Sequence, residues 1–139
     1  MKLLIPSVAF ALMLLSSATT PVYQKETIKL VPVHEVVEQM PQFIGGQEAM
    51  NEWFRDNLFY PAQAFLNGIQ GVVVVTFIVE KDGSLSSVQV VESVDPYLDA
   101  ESIRAVRAMP RWQSGRHLGE VVRVRQALPI TFVITIPTQ

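Results

Sequence analysis

Between Val121 and Ile136 the chain alternates. Val122, Val124, Leu128, Ile130, Phe132, Ile134 and Ile136 take the even positions, broken only by Gln126, while Arg123, Arg125, Thr131 and Thr135 take odd ones. A period of two predicts a strand with one face in the core and the other in water. Upstream, "GVVVVTFIVE" (71–80) predicts a strand buried on both faces at its start, and "KDG" (81–83) supplies hairpin-turn chemistry. The chain returns over 84–93, with Val88 and Val90 inward and Ser87 and Gln89 outward. Helical spacing appears in "QEAMNEWFRDNL" (47–58), where Met50, Trp53, Phe54 and Leu58 share a face. A short helix restarts over 60–68, with Pro61 in its first turn and Gly68 as its stop. A further helix covers 95–110, capped by Asp95 or Asp99 and ended by Pro110. Its buried stripe is Leu98, Ile103, Val106 and Met109, with Arg104 and Arg107 toward solvent. Residues 111–120 read as a loop with two glycines, and 19–40 as an extended arm with a strand near Val33–Val37. The expected order is arm, then α-β-β-α-β. The expected fold is α+β and two-layer: a three-stranded antiparallel sheet with two helices packed on one face.

Pro129 interrupts the last strand. Proline has no N–H for a ladder and survives in sheets on edges or at bulges. Along a strand, residues i and i+2 point their backbone groups the same way. If the nitrogen of Pro129 faces an open side, so do the N–H groups of the other odd residues, while the even residues pair inward and fill the core. Two readings of such an edge stand. It is either an ordinary edge guarded by Pro129, Arg123 and Arg125, or a platform to which an extended peptide adds a strand.

The chain has 139 residues, of which 49% are hydrophobic and 17% charged, with a formal charge of −2, which fits one compact domain plus extra chain. No basic stripe suggests a nucleic-acid partner. Cysteine is absent, which excludes disulfides, thiol nucleophiles and zinc-thiolate sites. His34 and His117 lie far apart in sequence without metal-ligand spacing, and no serine sits in a nucleophile elbow, so no catalytic residue, metal site or cofactor is expected. The start, Lys2 before "LLIPSVAFALMLL" and then "SSATT", has the form of a signal peptide with cleavage after Ala18. The apolar run is shorter than the roughly 20 residues of a spanning helix. Even so, no charge intervenes between Lys2 and Lys25, so an uncleaved membrane anchor is the alternative. Both readings put the rest outside the cytoplasm. The expected divisions are a signal peptide or anchor over 1–18, an arm over 19–39 and a folded domain over 40–139.

The segments "MPQFIGGQEAM", "NLFYPAQAFLNGIQGVVVVTFIVEKDGSLSSVQVVESVDPYLDAESIRAVRAMPRWQSGR" and "VVRVRQALPITF" closely resemble the TonB C-terminal domain, in a form common among Bacteroidetes-like bacteria. The marks are Tyr60-Pro61 with Gly68 and Gly71, Lys81-Asp82-Gly83, Leu98-Asp99-Ala100, Met109-Pro110-x-Trp112 and Leu128-Pro129-x-x-Phe132. Ile44 and Ser114 depart from the family pattern at positions where proline is usual. The resemblance implies a periplasmic, non-catalytic domain without cofactor. Such a domain pairs its last strand with a short segment of a TonB-dependent outer-membrane receptor and is pulled by an inner-membrane proton-driven motor. Carried onto this chain, the partner-binding residues are Val121, Arg123, Arg125, Ala127 and Thr131, with Tyr60 and Trp112 nearby or supporting. The spacer of about 20 residues, at most ~70 Å extended, is short for spanning the periplasm, so binding is better supported than energy transduction. The alternative is a structural or assembly module that forms a homodimer through the same edge.

Overall fold

The computed structural model describes residues 31–138. The expected signal peptide and most of the arm lie outside the described residues. The elements in chain order are β1 (Val33–His34), α1 (Gly46–Asn57), α2 (Ala62–Leu66), β2 (Gly71–Val79), β3 (Leu85–Glu92), α3 (Pro96–Arg107), β4 (Gly115–His117) and β5 (Glu120–Phe132). Among the described residues no helix is long and apolar enough to cross a membrane.

The sheet has five strands in the order β1-β5-β2-β3, with β4 also paired to β5. This corrects the expected three-stranded antiparallel sheet. β2 pairs antiparallel with both β3 and β5, but β1 runs parallel to β5, so the sheet is mixed. β4 lies inside the segment read as a loop. Leu118 and Gly119, with φ of 51° and 79°, form the tight connection that turns it into β5. A third helix, α2, also joins the two of the expected layer.

The core follows the alternation. Val73, Val75, Phe77 and Val79 of β2 are buried, and so are Val124, Leu128, Ile130 and Phe132 of β5. Leu98 and Val106 of α3, Met50 of α1, and Phe43 and Trp112 pack on them. Full burial of a side chain such as Leu98 or Phe77 stabilises the fold by roughly 1.5–3 kcal/mol. β2 is covered on both faces at its end, through Phe77, Ile78 and Val79, while Val72 near its start is exposed. That reverses the sequence expectation. Ile78 stands opposite Arg125, whose side chain is drawn to Glu35 of the arm.

Asp95, not Asp99, caps α3, accepting from the N–H groups of Tyr97 at 2.8 Å and Leu98 at 3.4 Å. Asp99 instead accepts from the N–H of Val94. Arg104 points outward yet ties α3 to the end of α1. It pairs with Glu101 and donates to the carbonyl of Asn57 at 2.6 Å, while Glu101 accepts from the N–H of Phe59 at 2.8 Å.

Candidate peptide-docking edge

β2 and β5 run in unbroken register from Gly71 opposite Phe132 to Val79 opposite Val124. On the side of β5 away from β2, β1 pairs at Arg123 and Val124. The first rungs of β5, Glu120 to Val122, belong to β4. Beyond the N–H of Arg125, which the His34–Val124 rung turns onto β1, nothing among the described residues pairs with that outer side as far as Thr131. This open stretch is about 20 Å long at strand rise. Ala127, Pro129 and Thr131 are exposed along it, and the intervening Leu128 and Ile130 are buried. Pro129 therefore stands where its missing N–H leaves no gap in the sheet.

The opposite edge differs. Register shifts interrupt the β2–β3 pairing between Val74 and Val75 and again between Thr76 and Ile78, and Ser87 has a φ of 50°. Bulges of this kind spoil an edge for further pairing. β5 offers the straight one.

α1 supplies a wall beside the open stretch. A groove of about 520 Å³ lies between them, lined by Met50 and Phe54 of the helix, by Leu58 just past its end, and by Leu128 to Thr131 of the strand. Gln47, Asn51 and Arg55 line it as well. A second hollow of about 360 Å³ meets it at Leu128 and Pro129 and reaches Phe43 and Trp112. An extended chain laid on the edge would have backbone partners on one side and an apolar trough for alternate side chains.

The start of the strand is fixed by charge. Arg123 forks onto Glu80 at 2.6 and 2.9 Å and donates to the carbonyl of Val31 at 3.0 Å. The hydrogen bond from Arg123 holds the Glu80 carboxyl below its ordinary range, against the opposing effect of burial and helped by Ser86. Arg125 donates from Nε to Glu35 at 3.1 Å.

These facts sort the expected partner-binding residues. Arg125, Ala127 and Thr131 lie together on the open stretch. Val121 lies before that stretch, opposite Arg116 of β4, whose own backbone groups bond to Gln39, and Arg123 stands opposite Val33 of β1. The outer side is therefore taken by β1 at Arg123 and Val124. Trp112 is buried, edge-on to Phe77 at 5.2 Å and Phe43 at 5.9 Å. It walls the inner hollow from below. Tyr60 packs edge-on against Phe132 at 5.6 Å and donates its hydroxyl to the carbonyl of Ile69, bracing the far end of β5. The α1 wall escaped sequence reasoning, because Met50, Phe54 and Leu58 show the same spacing in any core-facing helix. His34 and His117, distant in sequence, meet with ring centroids 5.6 Å apart and link the arm to β4.

A family model described as the Gram-negative bacterial TonB protein C-terminal matches residues 56–134, more than half of the chain. The chain belongs to the TonB C-terminal family. Two solved TonB C-terminal domains are similar to it. The Helicobacter pylori domain is 22% identical with a TM-score of 0.48, over 63% of this chain and 79% of that one. The Pseudomonas aeruginosa domain is 30% identical with a TM-score of 0.44, over 58% of this chain and 81% of that one. No curated protein matches the chain. TonB C-terminal domains are periplasmic, are in general non-enzymatic and interact with TonB-dependent receptors.

Proposed function

We propose that this domain docks an extended segment of a TonB-dependent outer-membrane receptor by strand addition along residues 125–131 of β5. The observation that carries the reading is the straight, unpaired outer side of β5 beside an apolar groove, in a sheet whose other edge is broken by bulges. The odd residues Arg125, Ala127 and Thr131 would exchange backbone hydrogen bonds with the segment, and its alternate side chains would enter the α1 groove. Tyr60 and Trp112 act from beneath, by fixing the strand and the groove floor. On this reading the domain works in the periplasm, and an inner-membrane proton-driven motor is the further partner that supplies force.

The test is calorimetric titration of a receptor's docking peptide into the wild-type chain and into Ala127→Pro. Proline at 127 removes an outward N–H and leaves the inward ladder intact. One net hydrogen bond is worth about 0.5–1.5 kcal/mol, so binding should weaken about two- to tenfold while the melting temperature changes little. Equal affinity for the two proteins would reject docking on this edge. A stable dimer in sedimentation that dissociates on Ala127→Pro would instead support self-association through the same strand.

A further inference from the structure

The outer side of β5 is not empty along its whole length, and its occupant has a chemistry. β1 runs parallel to β5, with Val33 opposite Arg123 and His34 opposite Val124. The next residue, Glu35, places its carboxylate on Arg125, the first residue of the open stretch. The segment before it, through the carbonyl of Val31, accepts from Arg123. A β-branched segment with a carboxylate therefore already pairs with the side of the strand to which a receptor segment would add.

Resting on the docking reading above, we propose that arm residues 31–36 are a built-in competitor for the docked segment, and that the segment displacing them shares their chemistry. It would run parallel to β5, with a carboxylate taking the place of Glu35 on Arg125 and apolar residues following into the α1 groove. Three features fit displacement. The arm holds by a two-residue strand and an ion pair that is solvent-exposed, with side-chain accessibilities of 37% for Arg125 and 70% for Glu35, and such pairs contribute little. Val36 is 80% exposed while Val37 is buried, so the arm can lift from Val37 without opening the core. Arg123 stays oriented by Glu80 when the arm leaves, so the edge it vacates remains ordered. The carboxylate would not go to Arg123, which is already satisfied. Arg55, in the groove wall near Thr131, makes no ion pair among the described residues and would receive the carboxylate of a segment running antiparallel.

The experiment uses the full chain, a receptor docking peptide, and a synthetic peptide of the arm itself, residues 29–37. Glu35→Ala removes the competitor's grip at an exposed position that does not threaten folding. His34→Pro is a second variant, which removes the arm N–H that faces Arg123 across the β1–β5 pairing. Both should bind the receptor peptide about two- to fivefold more tightly than wild type, the factor expected when an exposed ion pair no longer holds the competing state. The arm peptide added in trans should displace the receptor peptide, and its Glu35→Gln form should do so less well. A nitroxide at the receptor peptide's C-terminus should broaden the amide of Thr131 and spare that of Arg125. Equal affinity for wild type and both variants would overturn the competitor role while leaving docking intact. Broadening at Arg125 instead of Thr131 would overturn the parallel orientation. A receptor peptide that binds none of the three proteins would sink the docking reading itself.

Discussion

At Gly83 a backbone φ of +86° meets a close neighbour, since a Cβ there would lie 2.2 Å from the carbonyl oxygen of Trp112. That carbonyl belongs to the residue whose own N–H donates to Gly83 at 2.8 Å, so the hairpin turn and the Trp112 loop grip each other through backbone. Gly83→Ala should therefore destabilise the domain by roughly 1–3 kcal/mol, the usual scale for a non-glycine forced into such a conformation. Urea unfolding followed by tryptophan fluorescence will report it, and an unchanged midpoint would contradict the packing described. Charge makes a second residue-scale prediction. Glu80 is lowered chiefly by its hydrogen bond from Arg123. Glu101 is lowered too, with burial working against it and the Arg104 and Phe59 hydrogen bonds prevailing. A carboxylate with a depressed folded pKa contributes stability above its unfolded value of about 4.3, and that contribution disappears as pH falls through the folded value. Stability should be nearly flat from about pH 7 to 5 and fall below about pH 4. Glu80→Gln should flatten part of that fall, measurable as unfolding midpoints across the series.

Among the elements, β5 shows most plainly what a sequence can disclose. Its even-residue core and the outward Pro129 both follow from a period of two and one missing N–H, and no tertiary information is needed for either. The alternation continues past Phe132, but β2 runs out at Gly71, opposite Phe132, so the strand ends there and Ile136 is exposed. A partner's length is not written in the strand itself. β4, of three residues, is too short to carry a period, and the strand expected near Val33–Val37 gives in its two residues no sign that it lies on β5, so Arg123 reads as part of the open edge. The α1 groove was illegible for another reason, since an apolar helical stripe fixes which face is inward but not which strand it flanks. The parity of β5 gives an element-scale prediction. Ile130→Pro, on the inward-pairing register, should cost about 3 kcal/mol or more through the lost ladder bond and the emptied core position, against a small loss for Ala127→Pro. Comparable thermal shifts for the two would mean that the inner and outer sides of β5 have been exchanged.

For the molecule as a whole, the mixed sheet leaves one straight edge, walls it with α1, and lays the chain's own arm at its entrance. That arrangement suits capture of an extended segment, and it limits the captured length to the stretch beyond Val124 unless the arm lifts. Amide hydrogen exchange along β5, with and without a receptor docking peptide, tests this most directly. The N–H groups of Ala127 and Thr131 should exchange rapidly in the free chain and become protected with peptide, while that of Arg125, held by β1, and those of Leu128 and Ile130 are slow from the start. Protection that appears on β3 or α3 while Ala127 and Thr131 stay fast would contradict it.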